Sequence, residues 1–139
     1  MLKNGKYMPG STDTNRAGYG ISKKREAGSM NEKETTIQNA IRAVLSDAGI
    51  VRRNNVGTFI TANGTPIVIG IPGESDLTLF TRTGQTIFIE VKTPVGRQSK
   101  KQKHFQNVVE SFGFRYMIMR SVGDAEKLIN EIKNQESEQ

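Results

Sequence analysis

The stretch that most limits what this chain can become is residues 76–92, DLTLFTRTGQTIFIEVK. Leu77 and Leu79 alternate with polar residues, and so do Ile87, Ile89 and Val91 after a polar turn containing Gly84. Period-two alternation on both sides of such a turn predicts a β-hairpin. A three-residue loop of Arg82, Thr83 and Gly84, with the glycine in the left-handed conformation, fixes the register. Thr81 then faces Gln85, Leu79 faces Ile87 and Leu77 faces Ile89. The next pair outward is Asp76 opposite Glu90. Directly opposed residues have Cβ atoms about 5 Å apart, where like charges destabilise the pair. A chain accommodates this when a cation lies between the acids or when one of them holds a proton. Lys92, two residues beyond Glu90, shares its face. The hairpin is thus expected to bury one apolar face and to carry two acids and a lysine on the other, an arrangement suited to a metal site for phosphodiester cleavage.

The remaining elements arrange themselves around this hairpin. Residues 1–30 are rich in Gly, Ser, Asn and Lys without sustained periodicity, and read as a disordered basic tail. From Asn31 a helix is expected, with Ile37, Ile41, Val44, Leu45 and Ala48 on one side and Gly49 ending it. Glu34 and Gln38 lie one turn apart on it, and an acid so near a helix start also suits the helix dipole. Ile50–Asn54 and Gly57–Thr61 read as short extended pieces. Asn63-Gly64 marks a tight turn, and Pro66–Ile71 returns as an apolar strand. Thr93–Gln98 is a loop, and Ser99 opens a helix with Gln102 at capping-box spacing. Phe105, Val108, Val109 and Phe112 form its apolar stripe. A strand over Arg115–Ser121 and a helix over Asp124–Ile132 follow, and the polar end from Lys133 is expected to fray. This order predicts an α/β fold, a single mixed β-sheet flanked by helices, with one domain over residues 31–134 and a polar tail over 135–139.

Charge narrows the partner. The net charge is +6 with an isoelectric point near 9.7, which favours a polyanion. Residues 1–30 hold six basic and two acidic residues, the rest fourteen and twelve, so much of the excess sits in the tail. Lys100, Lys101 and Lys103 occupy the first turns of the second long helix, where cations oppose the dipole. They are better placed to meet phosphate, as are Arg52, Arg53 and Arg97. With no cysteine and the single histidine His104, any metal must be held by oxygens, which favours Mg²⁺ or Mn²⁺. His104 reads as solvent-facing or phosphate-contacting. No apolar run approaches the roughly 20 residues that span a bilayer, and the start lacks the apolar core of a signal peptide. The expected location is the cytoplasm, with no membrane contact.

Asp76 followed by Glu90-Val91-Lys92 on the next strand resembles the D…(D/E)xK core of the PD-(D/E)XK nuclease superfamily. The run Glu34-Thr35-Thr36-Ile37-Gln38-Asn39-Ala40-Ile41 is similar to the opening helix of VRR-NUC domains, the virus-type replication-repair nucleases. Arg53-Asn54-Asn55, Gly73-Glu74-Ser75-Asp76, Ile89-Glu90-Val91-Lys92 and Gly96-Arg97-Gln98-Ser99-Lys100-Lys101-Gln102 follow in that family's order. The similarity covers roughly residues 32–130. Ser75 stands where many members have Pro, and the helix after Ser99 begins Lys-Lys where Pro-Glu is common. Neither departure touches an expected metal ligand, and both leave the DNA preference open.

The resemblance implies a restriction-endonuclease-like core. It makes Glu34, Asp76 and Glu90 acidic metal-site residues, with the Val91 carbonyl as a further ligand. Lys92 would orient or activate the attacking water, and Gln102, with Gln38 as a lesser candidate, would support the site. It implies a Mg²⁺- or Mn²⁺-dependent DNA endonuclease, a homodimer acting on branched or flapped DNA in replication, repair or recombination, of phage or bacterial type. Two other readings stand beside it: a catalytically inactive DNA-binding module, and a structural α/β domain whose hairpin acids are coincidental.

Overall fold

The computed structural model describes residues 2–3, 6–7 and 28–139, with side chains from residue 33 onward. The basic tail expected over residues 1–30 therefore lies outside the described residues, apart from β1 (Leu2–Lys3), β2 (Lys6–Tyr7) and the first residues of α1. β1 and β2 pair antiparallel.

α1 runs Gly28–Leu45 and starts three residues before the expected boundary. β3 (Gly49–Arg53), β6 (Leu77–Thr81), β7 (Thr86–Val91) and β8 (Arg115–Met119) form one four-stranded sheet in the order β3-β6-β7-β8. The first two pairings are antiparallel and the last is parallel. A parallel pairing needs a crossover connection, and α2 (Lys100–Ser111) supplies it. The mixed sheet expected from the sequence is thus present, with helices on both faces. The β6–β7 register is the one expected, Leu77 with Ile89 and Leu79 with Ile87. Gly84 closes the turn at φ 84°, a backbone conformation that costs glycine little.

Alternation sorts the sheet's side chains between two cores. On one face Leu77, Leu79, Ile87, Ile89, Val91 and Met119 are fully buried under α1 and α3 (Val122–Ser137). Each such aliphatic side chain contributes about 1.5–3 kcal/mol by leaving water. On the other face α2 lays Phe105 and Val109 over Phe88, Tyr116 and Ile118. Phe88 meets Phe105 edge-on at 5.4 Å and Phe114 at 5.6 Å, the geometry aromatic quadrupoles favour.

Two expectations are corrected. β4 (Gly57–Ile60) and β5 (Pro66–Ile69) do not join the main sheet; they pair only with each other, as an antiparallel ribbon. Their residues are apolar on both faces, so alternation supplies no single side to dock. The last helix does not fray at Lys133 but continues to Ser137. Its final turns need no apolar stripe, because Lys, Gln and Glu are good helix formers. Among the described residues, no helix is long and apolar enough to cross a membrane.

Candidate active site

The site is built where the first acid enters β6 and the second leaves β7. Ser75 is buried, and its hydroxyl donates to the Leu77 carbonyl at 3.0 Å. That bond turns the chain so that Asp76 precedes the strand with its side chain over the β7 end. Asp76 Oδ2 there accepts the Val91 backbone N–H at 2.8 Å. The Asp76 carbonyl accepts the Asn54 N–H at 2.8 Å, which ties the start of β6 to the end of β3.

Glu90 is fully buried. It does not lie in the aliphatic core; it belongs to the α2 face, within a polar cage. Its Oε1 accepts from Gln102 Nε2 at 2.7 Å and pairs with Lys92 Nζ at 3.2 Å. Its Oε2 is buried with no hydrogen-bond partner. Burial, and then the charge of Asp76, raise the Glu90 carboxyl from 4.5 to about 8; Lys92 pulls the other way and is outweighed. Two neighbouring carboxyls, one of them out of water, do not both ionise unless something positive joins them. The donor set fits a divalent cation. Asp76 brings a carboxylate, Glu90 brings a buried oxygen without a donor, and hard oxygen ligands are what Mg²⁺ and Mn²⁺ require.

Gln102 holds this cage to α2. Its Oε1 accepts the Ser99 N–H at 2.8 Å while the Ser99 hydroxyl accepts the Gln102 N–H, a complete capping box. The other end of the same amide reaches Glu90, so one side chain caps the helix and fixes the acid's rotamer. Gly73 allows the approach: a Cβ there would lie 2.2 Å from the Lys101 carbonyl oxygen, and its φ is 80°. Arg120 fixes the intervening loop, donating to the carbonyls of Thr93 at 2.6 Å and Gly96 at 2.7 Å.

A cleft of about 410 Å³ opens beside the acids. Asp76, Gln102, Gln38, Arg53 and Lys101 line it. Gln38 is 7% exposed. Arg52, Arg97, Lys100 and Lys103 are exposed but do not line this cleft. Glu34 is half-buried one turn before Gln38, and no hydrogen bond or ion pair joins it to Asp76 or Glu90. Among the described residues, no three Asp, Glu, His or Cys side chains are grouped as a metal centre. The structure therefore brings together Asp76, Glu90, Lys92, Gln102 and the Val91 backbone. His104 is exposed on α2.

Asn54 is the neighbour that sequence reasoning passed over. Its Nδ2 donates to the Ser75 carbonyl and to Thr78 Oγ1, both at 2.9 Å, and its Oδ1 is buried without a partner. It lines the cleft beside Asp76. Its only signal in the sequence is its place in Arg53-Asn54-Asn55.

No curated protein matches this sequence. A solved structure described as a VRR_NUC domain has the same fold, with a TM-score of 0.52 and 22% identity over 70% of this chain and 95% of that one. The VRR-NUC domain model matches residues 69–123, a span that holds Asp76, Glu90, Lys92 and Gln102 and leaves Glu34 outside. Over that span the chain is similar in sequence to VRR-NUC domains, and its fold is that of the solved VRR_NUC domain structure.

Proposed function

We propose that this protein is a Mg²⁺- or Mn²⁺-dependent DNA endonuclease of the PD-(D/E)XK type. The observation that carries the reading is the meeting of Asp76, Glu90 and Lys92 at one strand end, with a buried Glu90 oxygen lacking any donor. The VRR-NUC match over residues 69–123 supports it, since that domain is a nuclease domain. Branched or flapped DNA as substrate, a homodimeric state, a role in replication, repair or recombination, a phage or bacterial setting and a cytoplasmic location complete the proposal.

Asp76, Glu90 and the Val91 carbonyl would hold the cation, and Glu34 is the further acid the resemblance brings to it. A bound divalent ion lowers the pKa of water and offsets charge on the phosphate. Lys92, at 3.2 Å from Glu90, holds the attacking water in line. Gln102 keeps Glu90 in one rotamer, so the ligand oxygen costs no reorganisation when the phosphate arrives. Arg53 and Lys101, on the cleft wall, take the flanking phosphates.

The test is cleavage of labelled duplex, flap and four-way-junction DNA with Mg²⁺, Mn²⁺ or EDTA. Wild type is expected to cut only with metal. Asp76→Ala, Glu90→Ala and Lys92→Ala should each lose roughly 100-fold or more in rate, the scale of removing one positioned charge. DNA binding without metal-dependent cutting by the wild type would instead leave the inactive DNA-binding module.

A further inference from the structure

β3 ends at Arg53, opposite Leu77, and the Asn54 N–H carries the ladder one bond further, to the Asp76 carbonyl at 2.8 Å. Strand alternation puts Asn54 on the side of Arg52, whose partner Thr78 faces the same way as Phe88 and Glu90. The Asn54 amide thus leaves the strand end on the face that carries Glu90. It lines the cleft beside Asp76.

A carboxamide has two hydrogens to give and one oxygen to receive. Both hydrogens of Asn54 Nδ2 are used, one on the Ser75 carbonyl and one on Thr78 Oγ1, each at 2.9 Å. The Ser75 carbonyl can only accept, so the amide cannot be turned over. Its Oδ1 is left buried with no donor. Holding the Ser75–Asp76 turn needs only the two hydrogens, so the clamp does not account for the oxygen. An acceptor shut away from water without a partner is costly to the fold. Among the described residues one other buried side-chain atom lacks a partner, Glu90 Oε2. In the strand order β3-β6-β7, Asn54 and Glu90 stand on either side of Asp76. Two acceptors without donors, flanking a carboxylate, suit a group that brings positive charge and hydrogens together. A hydrated divalent cation is such a group, since Mg²⁺ keeps several of its waters when bound.

We propose that Asn54 is a positioning residue of the metal site. Its Oδ1 accepts a hydrogen bond from a water of a divalent cation held by Asp76 and Glu90, while its Nδ2 holds the turn that delivers Asp76. The proposal rests on the metal-dependent reading above and adds a neutral acceptor to that site.

Calorimetric titration of Mn²⁺ into the full-length protein, without DNA, separates the two ends of this side chain. Asn54→Ala removes both and should weaken Mn²⁺ binding about tenfold or more, the scale on which neighbours of metal ligands act. Asn54→Asp keeps an oxygen toward the cleft, adds a charge and loses both donated bonds. It should melt below wild type in EDTA yet bind Mn²⁺ at least as tightly. Thr78→Val removes one bond of the clamp and leaves Oδ1 in place; it should melt lower with wild-type Mn²⁺ affinity. Unaltered affinity in Asn54→Ala, or an Asn54→Asp variant as weak as Asn54→Ala, would overturn the proposal and leave Asn54 a structural clamp. Where far-UV circular dichroism shows that Asn54→Ala does not fold, the other two variants decide, and equal loss of Mn²⁺ affinity in both would overturn it. A wild type that binds no Mn²⁺ would instead remove the metal-dependent reading itself, a result distinct from unaltered binding by the variants.

Discussion

Glu90 has one oxygen tied to Gln102 and Lys92 and one oxygen with no donor. Its carboxyl is raised to about 8 by burial and by Asp76, whereas an unfolded chain returns it to the ordinary carboxylate range. Between those two values the folded protein binds a proton that the unfolded chain does not, so stability falls as pH rises. In EDTA the melting temperature should decline from pH 5.5 to pH 7.5, with a free-energy slope approaching about 1.4 kcal/mol per pH unit, and level off above pH 8. Excess Mn²⁺ should oppose the decline, because ligand binding to the folded state stabilises it. A flat profile in EDTA would mean that Glu90 ionises without cost. Asp76→Asn removes the second cause of the shift and keeps an oxygen for the Val91 N–H. It should therefore melt no lower than wild type in EDTA at pH 8.5; a clear loss would make the Asp76 charge structural. The opposition of Asp76 and Glu90 was legible in the sequence because strand period and turn length fix it. The depth of Glu90 was not, because it depends on how the loop after β7 turns α2 back over that face.

At the scale of elements, the start of α2 decides the geometry. Gly73 packs on the Lys101 carbonyl with no room for a methyl group. Gly73→Ala must displace the helix start or the loop that delivers Asp76, and either motion separates Gln102 from Glu90. The expected result is a loss of about 2 kcal/mol or more, combining positive-φ strain with the clash, and a smaller Mn²⁺-induced rise in melting temperature. Differential scanning with and without Mn²⁺ measures both. The capping box was legible from Ser99 and Gln102, since the motif is local. The second bond of Gln102, to Glu90, was not, because it depends on the crossover between β7 and β8. The ribbon of β4 and β5 was legible as two strands and a turn, but its detachment from the sheet was not. Apolar residues on both faces give no alternation from which to choose a side.

At the scale of the whole molecule, the net charge is +6, and few of the described cations line the cleft. Arg53 and Lys101 line it, whereas Arg52, Arg97, Lys100 and Lys103 do not. Salt dependence of DNA affinity counts the phosphates that are neutralised, each contributing about 0.9 to the logarithmic slope. Arg53→Ala with Lys101→Ala should lower that slope by about 2, measured by fluorescence anisotropy with Ca²⁺ in place of the catalytic ion. An unchanged slope would place the DNA elsewhere. Overall charge was legible in the sequence, but its direction was not, because the end of β3 and the start of α2, far apart in the chain, share one cleft. The topology has one more effect. One acid immediately precedes β6 and the other lies on β7, and a tight turn joins the two strands. Gln102 reaches Glu90 from within the longer crossover between β7 and β8. The least comfortable pair is thus held by a short connection, and the amide that steadies it by a longer one.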